Sequence, residues 1–259
     1  MSLVDHLREL RRRVVVSMIA IAVGTVAGFF LYDWIFHLLL EPFTSTVDKL
    51  QQQGLKATVV LNGPAAPFML QLKVAAVAGV VLASPVWLYQ IWAFIMPGLH
   101  GSEKKWTLIF VSIASPLFLS GVVLAYYVLP KGLSVLLGFT PDGVTNLTDA
   151  KDYLTFTLRI LLLFGISFEI PLFVVLLNLA GIVRARHLAR WRSWIIFATF
   201  VFAAVATPST DPITMLLLAL PMTALFLLSE GIAVLVDRRR GRDDDADYDD
   251  YADDEVSPI

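Results

Sequence analysis

The sequence contains no cysteine. Disulfides, thiolate metal sites and a cysteine nucleophile are thereby excluded. Charge is scarce: 16% of the residues are Asp, Glu, Lys or Arg, where a soluble domain carries about a quarter. The four histidines, His6, His37, His100 and His187, are scattered near predicted membrane edges, and no HExxH, phosphate loop or GxSxG is present. No metal, cofactor or catalytic constellation is implied. No segment could form a soluble nucleotide-driven motor. No internal repeat of the kind found in many transporters is visible. The basic cluster Arg11-Arg12-Arg13 leads into a long apolar run with no small-residue cleavage pattern after it, so a cleavable signal peptide is not expected.

What is abundant is apolar sequence. Hydrophobic residues make up 57% of the chain, and mean hydropathy is +0.73. Almost half of the acids lie in the last stretch, Asp243 to Glu255, so the net charge of −2 sums a basic membrane protein and an acidic tail. That tail, 237–259, is a like-charge run expected to be solvated and disordered.

A helix needs about 20 apolar residues to cross the hydrocarbon core. Runs near 14–40, 68–96, 106–129 and 153–179 qualify. Two further spans are read at 194–206 and 213–236, separated by TPSTDP (Thr207–Pro212), where Asp211 suits an N-cap and Pro212 the first helical position. The fifth span is then only about 20–22 Å long at 1.5 Å per residue. Two crossings are favoured over a re-entrant hairpin. Arginine and lysine are concentrated in one set of loops, around Arg8–Arg13, Lys104–Lys105, Arg184–Arg192 and Arg238–Arg242, while the other set holds Lys49, Lys56, Lys131 and Lys151. Both termini are therefore expected on the cytoplasmic side, which requires an even number of spans. The predicted architecture is an all-α polytopic membrane protein with six helices. Lys73 and Arg159 lie just inside the outer ends of their spans and are read as snorkelling. The outer loops, 41–67 and 130–152, are long enough for short capping helices, and Asn146-Leu147-Thr148 is a weak glycosylation signal.

Three segments could carry chemistry. The first is SLVDHLRELRRR (residues 2–13), which places Leu3, Leu7, Leu10 and Val14 on one stripe and predicts an amphipathic helix on the inner membrane surface that continues into span one. From this segment alone, pairing of Glu9 with Arg13 one turn on is favoured over binding of an outside cation. The second runs from Ser84 to Lys105. Pro85 should bend span two, and Phe94 and Glu103 flank one short loop. A helix-dipole role explains Glu103 equally well. The third is FGISFEIP (Phe164–Pro171), where Glu169 stands deep in an apolar run beside Pro171. A carboxylate at that depth costs several kcal/mol if ionised and by default marks function. Asp33 and Glu230, near span ends, are poor partners for it, and Arg159 lies about 15 Å away along the helix.

Taken together, these pieces resemble the TatC family, the receptor subunits of the twin-arginine protein translocase. The resemblance runs from about Leu3 to Val236 and rests on HLRELRRR (His6–Arg13), LEPF (Leu40–Phe43), SPVWLYQIWAFIMPGL (Ser84–Leu99), SFEIP (Ser167–Pro171), TPSTDP and LALPM (Leu218–Met222). It implies a concave bundle in a prokaryotic cytoplasmic membrane that recognises folded proteins bearing a signal peptide with paired arginines. It also implies assembly with single-span partners of the TatA and TatB type, self-association in the complex, and transport driven by the proton gradient without a chemical reaction. By the same resemblance, Glu9, Arg11, Phe94 and Glu103 would form the signal-peptide site. Glu169 and Thr207 would line an intramembrane polar pocket for a partner helix, and Pro42, Pro85 and Pro171 would serve shape and assembly. Met215 stands where the family pattern has a polar glutamine. A proton-coupled solute transporter using Glu169, or a membrane-protein insertase, are the competing readings.

Overall fold

The computed structural model describes residues 3–52, 56–95, 103–141, 144–179, 181–206 and 212–239, with the side chains of residues 3, 4, 56, 103–107 and 214 set aside. The elements are α1 (Leu3–Phe30), α2 (Tyr32–Gln51), β1 (Lys56–Val60), α3 (Ala66–Leu82), α4 (Ser84–Ile95), α5 (Glu103–Gly138), β2 (Thr145–Asp149), α6 (Ala150–Leu179), α7 (Ala185–Ala206) and α8 (Pro212–Arg239). Among the described residues, five helices are long and apolar enough to cross a bilayer, and a sixth span arises if α3 and α4, bent by 54° at their junction, count as one. That bend is where Pro85 predicts it. Ala83 still donates to the Gly79 carbonyl, but the α-helical ladder breaks there, and the Trp87 indole N–H supplies a donor to the Val80 carbonyl at 2.9 Å.

The amphipathic start and first span form one helix, as expected, but α1 stops at Phe30 and a second helix starts at Tyr32. The second piece, α2, carries Pro42 in its interior. Proline has no N–H, so the Leu38 carbonyl loses its helical donor. The Tyr126 hydroxyl of α5 donates to that carbonyl at 3.1 Å, and the Tyr153 hydroxyl of α6 donates to the next one, Leu39, at 2.8 Å. Pro42 is thus the point at which α2 is tied to α5 and α6.

Two features depart from the all-α expectation. The strands β1 and β2 pair in parallel, Lys56 opposite Thr145 through Val60 opposite Asp149. Asp149 then caps α6 by accepting from the Lys151 N–H at 2.8 Å. Asn146, inside β2, has its side chain engaged by Thr140 and Thr148. Helix α5 also runs through Pro130 to Gly138 instead of ending near 129, because Leu133 and Leu137, one turn apart, bury against the same core as Leu50 and Ala57. The cap at this end of the bundle is therefore built from the ends of α2 and α5 with the strand pair, not from separate short helices. Helix α7 likewise starts at Ala185, well before the apolar run near 194–206.

Helix α6 is the hub: 56% of its most apolar stretch is buried, against 6% for α1 and 11% for α7. The peripheral α1 is held by close backbone approach, since apolar side chains gain little by leaving lipid for protein. Gly24 and Gly28 sit four apart and face Gly79, Ala75 and Ala78 of α3; a Cβ on Gly79 would lie 2.4 Å from Thr25 Oγ1. Replacing Gly79 by Leu is expected to push α1 off α3 and cost about 2 kcal/mol, seen as a lower midpoint of thermal unfolding in detergent. Gly231→Ala, where an added methyl meets nothing within 4 Å, should leave the midpoint unchanged.

Candidate functional site

The N-terminal turn of α1 lies against the end of α4. The His6 and Phe94 rings stack with centroids 4.5 Å apart and an interplanar angle of 27°. One turn further along α1, Arg13 grips Glu9 through Nε at 3.0 Å and Nη2 at 2.5 Å, both on Oε1. The internal pairing favoured from the sequence is thus present. An incoming guanidinium at Glu9 would have to exchange with Arg13 instead of finding a bare carboxylate. Arg11 is exposed and shares a shallow surface with Asp5, Arg8, Glu9 and Arg12. Glu103 is the first residue of α5; its side chain, like all of Thr207, lies outside the described residues.

Two apolar grooves flank α4 and share Trp87, Ile91 and Ile95. One, of about 540 Å³, runs between α1 and α4 from Arg13 and Phe94 to Met18 and Ile21. The other, of about 440 Å³, lies between α4 and α6 and is lined by Leu88, Trp92, Ile166, Glu169, Ile170 and Phe173. Among the described residues, neither carboxylate oxygen of Glu169 has a hydrogen-bond partner. The acid therefore borders a groove whose walls are otherwise hydrocarbon. Pro171, two residues on, is buried, and Ser229 of α8 sits 3.0 Å from its carbonyl and 2.9 Å from that of Leu225, sharing one proton between them. Met215 packs on the main core of α2, α5 and α6 side chains.

This arrangement matches solved folds and sequences. The family model of TatC, Sec-independent protein translocase protein, matches residues 5–221. The chain belongs to the TatC family. A Sec-independent protein translocase protein TatC of Frankia casuarinae is 45% identical over 100% of this chain and 73% of the relative. One from Aquifex aeolicus is 33% identical over 93% of this chain and 98% of its own length. A crystal structure described as the twin arginine translocase receptor TatC superposes with a TM-score of 0.74 at 33% identity, covering 89% of this chain and 98% of that one. A second crystal structure of that receptor, in the detergent DDM, matches with the same TM-score at 32% identity. The protein is accordingly a multi-pass membrane component of the Tat protein translocase, with a transport role.

In this TatC-family chain the structure adds polar groups that sequence reading missed. Asp237, 2% exposed, accepts from the Ala185 backbone N–H at 2.7 Å and from Asn178 Nδ2 at 3.1 and 3.2 Å. One carboxylate thus joins the end of α6, the start of α7 and the end of α8. Its place beside Arg238–Arg240 made it look like part of a solvated run. Glu230, weighed from the sequence only as a poor partner for Glu169, accepts from Arg192 Nε at 3.0 and 3.2 Å and from Nη2 at 2.6 Å. The arginine-rich opening of α7 is therefore part of the fold as well as a topology signal.

Asp237→Ala should free α7 from its neighbours and cost about 3 kcal/mol, the usual scale for stranding buried polar groups. Asp237→Asn, which keeps an acceptor for Ala185 but turns an N–H₂ toward Asn178, should lose roughly half as much. Denaturant or thermal unfolding of the two purified variants measures the difference.

Proposed function

We propose that this chain is the receptor and core subunit of the translocase, with six spans and both termini in the cytoplasm. It binds paired-arginine signal peptides on its inner rim and receives TatA- and TatB-type helices along the groove at Glu169. The observation that carries the first half is the stacked contact of His6 with Phe94, which holds the helix bearing Glu9 and Arg11 beside the chain segment leading to Glu103. A guanidinium pair asks for planar carboxylates and an aromatic face, and this rim offers both types of group. Exchange of Arg13 for a signal-peptide arginine at Glu9 would replace like with like, at little net cost. The signal peptide's apolar segment then has the α1–α4 groove leading away from the rim.

The second half is supported by the unpartnered carboxyl of Glu169 in an apolar groove. In hydrocarbon, a polar side chain on an arriving single helix and Glu169 each gain a hydrogen-bond partner that lipid does not offer. Thr207 and the prolines Pro42, Pro85 and Pro171 belong to this reading as a further polar contributor and as shape-setting residues. The same reading has the chain self-associate in the assembled complex, and the proton gradient drives transport.

Site-specific crosslinking from position 103 to a signal peptide carrying Arg-Arg is expected to exceed labelling of a Lys-Lys peptide by about tenfold, or about 1.4 kcal/mol. Equal labelling by the two peptides overturns the receptor reading, as does survival of twin-arginine precursor export in Glu103→Ala and Glu103→Gln. Glu169→Ala should leave that crosslink in place while reducing copurification of the single-span partners. If partner recovery is unchanged, the groove is not their seat.

A further inference from the structure

Lys73 and Arg159 were read from the sequence as two unrelated snorkelling cations. The fold brings them to one place. Lys73 of α3 is exposed, and its Nζ donates to Thr155 Oγ1 of α6 at 3.2 Å. Thr155 in turn donates to the Lys151 carbonyl of its own helix at 2.6 Å. Arg159, also exposed, stands four residues beyond Thr155, so their side chains rise from the same helix face, about 5–6 Å apart at Cβ. Two cations from two helices therefore share one lipid-facing patch, with a hydroxyl between them.

No carboxylate among the described residues balances this charge. Among the described residues, neither Lys73 nor Arg159 makes an ion pair within 4 Å. Asp152 is on the same face one turn nearer the cap, next to Lys151, and forms no such pair with either. Lys73 lies about 10 Å in from the start of α3 at Ala66, and Arg159 about 14 Å in from the start of α6 at Ala150, at 1.5 Å per residue. Those helix ends adjoin the strand pair β1–β2, so both cations lie about two to three turns inside the capped end of the bundle. A long basic side chain reaches upward from there. A guanidinium beside an ammonium, facing lipid without a carboxylate, is matched by an anion that the bilayer itself holds at that depth.

We propose that Lys73, Thr155 and Arg159 form a binding site for the phosphate of an anionic phospholipid in the leaflet on the β1–β2 side. The ammonium of Lys73 and the fork of Arg159 grip two phosphate oxygens, and Thr155 holds Lys73 in place. The lipid tails lie along the crossing of α3 and α6. The site stands apart from Glu169 and from the inner rim, and does not depend on the signal-peptide reading.

The test uses the full chain, stripped of lipid and reconstituted in nanodiscs with phosphatidylglycerol or phosphatidylcholine, or held in detergent with inorganic phosphate. Native mass spectrometry of the detergent-released protein counts retained lipid, and a thermal scan reports its effect. Phosphatidylglycerol is expected to be retained and to raise the unfolding midpoint, while phosphatidylcholine and phosphate do neither. The double variant Lys73→Gln/Arg159→Gln should weaken retention about thirtyfold, the equivalent of about 1 kcal/mol for each basic residue. The charge-keeping pair Lys73→Arg/Arg159→Lys should retain the lipid even if the Gln pair folds poorly, and Asp152→Asn should tighten binding. Equal retention of phosphatidylcholine, or undiminished phosphatidylglycerol binding in a folded Gln pair, overturns the site. So does saturation of the patch by the acid of a copurified partner helix.

Discussion

A backbone carbonyl or side-chain polar group in hydrocarbon has no water to turn to, and the molecule is organised around supplying donors from within. Proline inside a helix creates the need, because it removes a donor one turn back. At Pro42 the need is met across helices by Tyr126, with Tyr153 reinforcing the neighbouring carbonyl. At the α3–α4 bend, Trp87 supplies the donor locally. At the α6–α8 contact, Ser229 donates to the carbonyl of Pro171 itself, a group that the proline does not expose. Pro42 is thus the junction where a carbonyl freed by a proline binds neighbouring helices, whereas the bend at Pro85 is served from within its own segment. Against this background Glu169 stands out, since it is a buried carboxyl that the described part of the chain leaves without a partner.

The same economy of donors explains why the ends of α6, α7 and α8 are stitched by one acid. The first N–H groups of a helix have no internal acceptor. Asp237 serves the start of α7, and its two oxygens share one N–H of the Asn178 amide, whose other N–H reaches the Val183 carbonyl. Arg192 and Glu230 clamp the α7–α8 pair nearer the membrane. A helix as lightly buried as α7 would otherwise have little besides shape to hold it, because lipid competes well for its apolar face. Polar stitching at the membrane edge leaves that outer face open.

Much of this was legible in the sequence because the bilayer imposes a coarse and severe pattern. Long apolar runs marked the helices, and Pro85 marked the 54° bend between α3 and α4. Glu169 announced itself by depth alone. The misses share a cause. Pro130 read as a stop, yet Leu133 and Leu137 bury one turn apart, and packing overrode the local signal. The parallel pairing of β1 with β2 joins segments 89 positions apart, Lys56 with Thr145, and nothing local distinguishes such a strand from a polar loop. Asp237 was hidden among arginines. The pairing of Gly24 and Gly28 with Gly79 did leave a signal, GTVAG, a small-residue spacing that permits close helix approach, although it names neither the partner helix nor the face.

Met215, in the last helix, packs on the apolar core shared by α2, α5 and α6. It stands fourteen residues before Ser229, the α8 residue that meets the Pro171 carbonyl, or about 21 Å along the helix at 1.5 Å per residue. It is therefore too far from the level of Glu169 to give that carboxyl a partner or to shield it. The isolation of Glu169 comes from the walls of its own groove, where Leu88, Ile91, Ile166, Ile170 and Phe173 are hydrocarbon. Because the unbound carboxyl has no bond to give up, a polar side chain that reaches it gains the full value of the new hydrogen bond.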